Sequence, residues 1–128
     1  MAVAPLILDR FMQPRDQLLL AAVILGGGII TFCVCLPLIY RKVPVNRWYG
    51  IRLPESFVSV ERWYEINAYG GRLLARWSCL IIVTGVVGFL VPLRLLPAYA
   101  ITAAGVILIS VFIPLIQIIR WARATRQT

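Results

Sequence analysis

Side chains able to make and break bonds are few in this chain of 128 residues. It has no histidine and five carboxylates: Asp9, Asp16, Glu55, Glu61 and Glu65. An enzyme needs a nucleophile, an acid and a base in mutual reach. Three glutamates between residues 55 and 65, with no histidine to work with them, are a poor set, and neither a catalytic residue nor a cofactor is expected. The three cysteines, Cys33, Cys35 and Cys79, all lie in apolar runs. Cys33 and Cys35 are two positions apart, so on a helix they point about 200° away from each other. Cysteines dispersed in this way are poor zinc ligands. They read as small apolar packing residues, and no metal is expected.

The chemistry that remains is recognition, and it is concentrated in residues 41–72. Asn46 is suited to bond its own following backbone and set a turn. Gly50 tolerates positive φ where the chain bends sharply. Arg52 presents five fixed donors, suited to a lipid phosphate or a carboxylate. Pro54 and Glu55 fit the first turn of a helix, because proline costs nothing at the first position and an acid complements the dipole. That helix is expected to run to about Tyr69, where Gly70 and Gly71 end it and turn the chain. Val60, Trp63, Asn67 and Gly70 would share one of its faces. Glu61 and Glu65 repel each other unless Arg41, Lys42, Arg47, Arg52 or Arg62 neutralises them. Asn46, Gly50, Arg52, Trp63 and Asn67 are therefore the candidate binding residues, as a structured site rather than a catalytic one.

The elements that must hold this loop are apolar. The chain is 61% hydrophobic and 14% charged, with mean hydropathy +0.88. Soluble domains have about 25% charged residues, so lipid is the expected solvent. The expected fold is an all-α membrane protein with three transmembrane helices and a short interfacial helix in the first cytoplasmic loop. The spans are placed at about 18–40, 73–91 and 98–119, within a membrane domain of residues 18–119. A run such as Leu18 to Tyr40 reaches about 35 Å, enough to cross a hydrocarbon core of about 30 Å. The last two spans are joined through Pro92 to Pro97 and form a helical hairpin. Residues 1–17 are an extracytoplasmic segment that reads either as a short interfacial helix or as a frayed tail. They do not resemble a secretory signal. Residues 120–128 are a basic tail.

Net charge is +8. The basic residues lie between and beyond the apolar runs, so the expected partners are membrane lipids and another membrane protein or peptide, not nucleic acid. Ten Lys and Arg fall on the side of residues 41–76 and the C-terminus, against Arg10, Arg15 and Arg94 on the other. The positive-inside rule then puts the N-terminus outside and the C-terminus in the cytoplasm. Trp77 and Trp121 fall at helix ends, where indole prefers the headgroup level.

Helices in lipid associate through small residues. Gly26, Gly27 and Gly28, with Ala22, offer such a face on the first span. Thr84 with Gly88, and Ala100 with Ala104 and Gly105, do so on the others. The glycine triplet is either packing within the chain or a contact for a second protein. No Asp or Glu lies within a span, which argues against a proton-coupled transporter. Pro37 and Pro114 are placed to kink the ends of their helices.

The pattern Pro44-x-Asn46-x-x-Tyr49-Gly50-x-Arg52, followed by Ser56, Trp63, Asn67 and Gly71, resembles the signature of the SdpI family of bacterial membrane proteins. Leu53 stands where that pattern usually has threonine. The chain resembles the C-terminal, motif-bearing part of the family's immunity protein. The resemblance implies a protein of the bacterial inner membrane that protects a producing cell from its own secreted peptide toxin and signals to a cytoplasmic repressor. A different reading rests on small size, the glycine-rich first helix and few polar residues in the spans: a small accessory subunit packed against a larger membrane complex.

Overall fold

The computed structural model of the protein describes residues 13–127. Most of the expected N-terminal segment, residues 1–12, lies outside these. Three helices make the bundle: α1 (Pro14–Ile39), α2 (Val60–Gly88) and α3 (Leu96–Ala124). All three are long and apolar enough to cross a membrane. No strand occurs among the described residues. The helix α2 is central, with α1 packed along one side and α3 along another. Large apolar side chains such as Leu19, Val23, Ile30, Ile101 and Phe112 point outward and stay exposed. That is the arrangement expected when lipid rather than water covers the bundle.

Helix ends follow from local chemistry. Pro14 opens α1, where its missing N–H costs nothing, and Asp16 Oδ2 accepts from Gln13 N at 2.9 Å. At the other end Arg41 N donates to Leu38 O and Lys42 N to Pro37 O. This is a Schellman closure, whose left-handed position is normally glycine. Here Arg41 fills it, with φ 55°. Ser59 caps α2 by accepting from Arg62 N at 3.1 Å. The free carbonyls at the far end of α2 are met by Gln17 Nε2, which donates to Gly88 O (2.9 Å) and Val91 O (2.7 Å). A polar side chain near the start of α1 thus closes the last turn of α2.

Two expectations for the loop change. There is no separate interfacial helix. Pro54–Phe57 form one short 3₁₀ turn, and α2 then runs unbroken through Gly70 and Gly71 into the span. These glycines serve close packing instead of ending the helix. A Cβ at Gly71 would lie 3.1 Å from Leu38 Cβ and 3.3 Å from Cys35 O, and one at Gly70 would run into Ile51 and Ile118. Two glycines inside a helix cost about 1 kcal/mol each. Packing on both sides offsets that penalty. Likewise α3 starts two residues earlier than placed and takes in Arg120 to Ala124 of the expected tail.

The small-residue faces also shift. Gly28 packs on α2, where a Cβ would lie 2.8 Å from Ile82 Cγ1, whereas a Cβ at Gly26 or Gly27 would meet nothing within 4 Å among the described residues. On α2 the close approach is at Gly85, against Leu25, with Gly88 against Tyr99 and Ala21. On α3 Ala103 is buried, while Ala104 is exposed and Gly105 has open space among the described residues. Pro114 is buried in α3. Its missing N–H leaves the Ser110 carbonyl without its helical donor, and the Ser110 hydroxyl beside it is buried with no hydrogen-bond partner among the described residues.

Candidate functional site

The loop from Tyr40 to Ser59 folds back over the ends of the helices and is fastened to the first turns of α2. Asn46 sets the first bend. Its Oδ1 accepts from Trp48 N (2.8 Å) and Tyr49 N (2.7 Å), and its Nδ2 donates to Pro44 O (2.7 Å). This is the Asx turn expected from its position. Tyr49 then reaches back to α1, where its hydroxyl donates to Val34 O. Burial lifts the Tyr49 phenol above its ordinary range, with the Cys35 thiol adding to the lift. The phenol therefore stays a neutral donor near neutral pH.

Gly50 is the next bend, with φ 120°. A side chain there would be strained by the backbone, and its Cβ would sit 2.6 Å from Asn67 Oδ1 and 3.1 Å from the Trp63 ring. Asn67 is buried on α2. Its Oδ1 accepts from Ile51 N (2.6 Å) and its Nδ2 donates to Trp63 O (2.9 Å). Trp63, fully buried, donates from Nε1 to Val43 O at 2.9 Å. Ser56, also buried, donates to Ile51 O at 2.8 Å and accepts from Leu53 N. Four of the five candidate residues, Asn46, Gly50, Trp63 and Asn67, thus belong to one fastening, and the polar groups of Asn46, Trp63 and Asn67 are bonded to backbone. The fifth, Arg52, lies outside it. Its guanidinium donates to Arg47 O rather than meeting Glu61 or Glu65.

Asn67 is the hinge of this arrangement. Replacing it with leucine leaves the Ile51 amide without an acceptor, a cost of about 1–3 kcal/mol for a buried group. The expected result is a large rise in hydrogen exchange at Ile51 and its neighbours while exchange in the spans is unchanged, read by mass spectrometry in micelles.

What this fastening leaves outward is the tip of the turn. Trp48 is 91% exposed, flanked by exposed Val45, Arg47 and Arg52, with Phe57 and Val58 exposed further along the loop. Sequence reasoning did not single out Trp48, because its full projection depends on the turn that Asn46 makes.

Sequence reasoning also missed a second feature of this end. An open cleft of about 560 Å³ is lined by Arg41, Arg62, Glu65, Tyr69, Arg72, Trp121 and Thr125. Arg62 is its floor. The guanidinium donates to Glu65 Oε2 (3.1 Å), Ala122 O (2.8 Å) and Thr125 Oγ1 (2.6 Å), and lies 5.3 Å from the Trp121 ring centroid. It thereby ties the start of α2 to the end of α3 and neutralises Glu65. Tyr69 stacks on Trp121 with centroids 4.2 Å apart and planes 13° apart. Nearby, Glu55 is buried with Arg123 Nε at 4.0 Å. No group of three or more metal-ligating side chains forms among the described residues.

No curated protein and no solved structure matches the chain. A family model does, that of the SdpI/YfhL protein family, over residues 42–119. This stretch takes in the fastened loop, all of α2 and most of α3. With its motif loop and three helices able to cross a membrane, the chain belongs to the SdpI/YfhL protein family of multi-pass membrane proteins.

Proposed function

We propose that this protein is a non-enzymatic membrane receptor of the SdpI type, in the bacterial inner membrane, which binds a peptide toxin or a protein partner, and that the loop end of its bundle is the surface that recruits a cytoplasmic protein partner. The N-terminus lies outside and the loop and C-terminus face the cytoplasm, in keeping with the distribution of Lys and Arg. Asn46, Gly50, Arg52, Trp63 and Asn67 act by building and positioning the recognition surface. The observation that supports this reading is Trp48, 91% exposed at the tip of a turn held by two backbone hydrogen bonds to Asn46. An aromatic anchor on a rigid turn loses little side-chain entropy on binding, and such residues dominate interface energetics.

The test is Trp48→Ala in a strain lacking the native gene. The wild-type chain is expected to restore resistance to the peptide toxin and to capture its partner in a mild-detergent pull-down. The variant should lose at least about tenfold in capture, the scale of an interface hot spot, with unchanged thermal stability because nothing covers the indole. Full capture and full resistance in the variant would sink the reading.

A second reading is supported by Gly26 and Gly27 on α1, where an added Cβ would meet nothing within 4 Å among the described residues. Small residues on an open helix face suit close approach of another transmembrane helix. On this reading the chain is a small accessory subunit of a larger membrane complex. The same pull-down separates the two: larger membrane proteins recovered in fixed ratio, with Trp48→Ala and wild type alike, would favour it.

A further inference from the structure

We propose that the cleft between Arg41, Arg72 and the Tyr69–Trp121 stack binds the phosphate of an anionic glycerophospholipid. Three observations carry this. First, the charges in the cleft do not cancel. Arg62 is occupied by Glu65 and by the end of α3, but among the described residues no hydrogen bond or ion pair engages the guanidinium of Arg41 or Arg72. Two unneutralised guanidiniums facing one cleft suit a phosphodiester, whose oxygens match the planar donor fork.

Second, the cleft lies at the depth of headgroups. Arg41 comes two residues after the end of α1, Arg72 stands immediately before the apolar run that starts at Leu73, and Trp121 follows the apolar run of α3. A phosphate that enters with acyl chains can stay in the bilayer, its tails lying along the exposed apolar faces of the helices. The stacked rings of Tyr69 and Trp121 give a flat wall at the level where aromatic side chains settle in membranes. A volume of about 560 Å³ is in the usual range for a small-ligand site, about 300–1,000 Å³.

Third, Arg41 occupies a backbone position that favours glycine. Its φ is 55° at the closure of α1, where glycine would be the lower-energy choice. A charged side chain held there at a backbone cost points to a role for the charge.

That same position supplies the test. Arg41→Gly removes the cation while relieving the backbone, so loss of lipid cannot be ascribed to loss of fold. The full chain and the double variant Arg41→Gly/Arg72→Gln are purified from mixed micelles of phosphatidylglycerol and phosphatidylcholine in equal amounts, and retained lipid is read by native mass spectrometry. Arg47→Gln/Arg120→Gln is the control, with the same loss of charge at the same end but outside the cleft. The wild type and the control are expected to retain phosphatidylglycerol about tenfold over phosphatidylcholine, and the cleft variant to lose that preference, as two arginine contacts at a membrane surface imply. Equal retention of the two lipids by the wild type, or an equal drop in the control and the cleft variant, would overturn the proposal. So would displacement of phosphatidylglycerol by soluble glycerol 3-phosphate at matched concentration, which would mark a site for free phosphate esters. Partner capture through Trp48 is a separate readout, so either proposal can fail alone.

Discussion

Trp63→Ala is expected to destabilise the loop end of the protein by about 3–5 kcal/mol, the range for removing a buried Trp or Phe from a core. The indole is fully buried, packs with Leu38 and Val43, and lies 5.4 Å from the Phe57 ring. It also underlies Gly50. Removing it opens a cavity beneath the bend and leaves Val43 O without its donor. The loss should be local in form. The backbone hydrogen bonds of the three long helices are closed within each helix, so lipid continues to hold them. Limited proteolysis in nanodiscs should therefore show cleavage between residues 41 and 59 in the variant and none in the wild type, with little change in helical circular dichroism. Trp63→Phe keeps most of the volume and loses the N–H donor, and should cost about 1–3 kcal/mol. If Trp63→Ala leaves protease resistance and Tm untouched, the loop is held by something other than this fastening.

The second large effect is expected at Gly85, where the backbone of α1 lies directly against α2. A Cβ there would lie 2.5 Å from Leu25 N and 2.6 Å from Leu25 Cα. These are backbone atoms of a helix, which cannot swing aside as a side chain would. Gly85→Leu must therefore push the helices apart and separate Gly28 from Ile81 and Ile82, which sit in the same contact. Overpacking a core costs about 1–3 kcal/mol and sometimes more. In lipid, close packing is the main attraction between helices, so the full effect should appear as lost association of α1. Cysteines placed on facing positions of α1 and α2 should cross-link in the wild type and fail to do so in Gly85→Leu. By contrast Gly27→Leu, which has open space around it, should leave cross-linking unchanged. It would disturb only a partner helix, and so doubles as a test of the accessory-subunit reading.

The parts of the motif that act through their immediate neighbours were legible from the sequence. Asn46 makes its turn with residues two and three positions on, a reach that sequence alone describes. Gly50 was read as a sharp bend and has positive φ. Trp63 and Asn67 were read as one helical face, and they are that face. What they face was not legible: Val43 O and Ile51 N, 20 and 16 residues away, are brought to them only when the loop folds back. Gly70 and Gly71 were misread for the same reason. Local propensity makes a glycine pair a helix ending, yet α1 and α3 approach α2 just there, and a side chain at either glycine would crowd them. Arg52 remains apart from the fastening, and its guanidinium donates to the nearby Arg47 carbonyl.

By itself the sequence determined that this is a protein of three apolar helices with a polar, motif-bearing loop between the first two. Hydropathy over about 20 residues and the rise of a helix leave no other way to satisfy the backbone in lipid. Tertiary structure alone decided that α2 begins inside the loop and runs through its glycines, that Gly85 and, of the glycine triplet, Gly28 sit where α1 and α2 meet, and that Arg41, Arg72 and Trp121 converge on one cleft. Each depends on which face of one helix meets another. That is settled by the fit of side chains far apart in the chain, and no periodicity within a single segment records it.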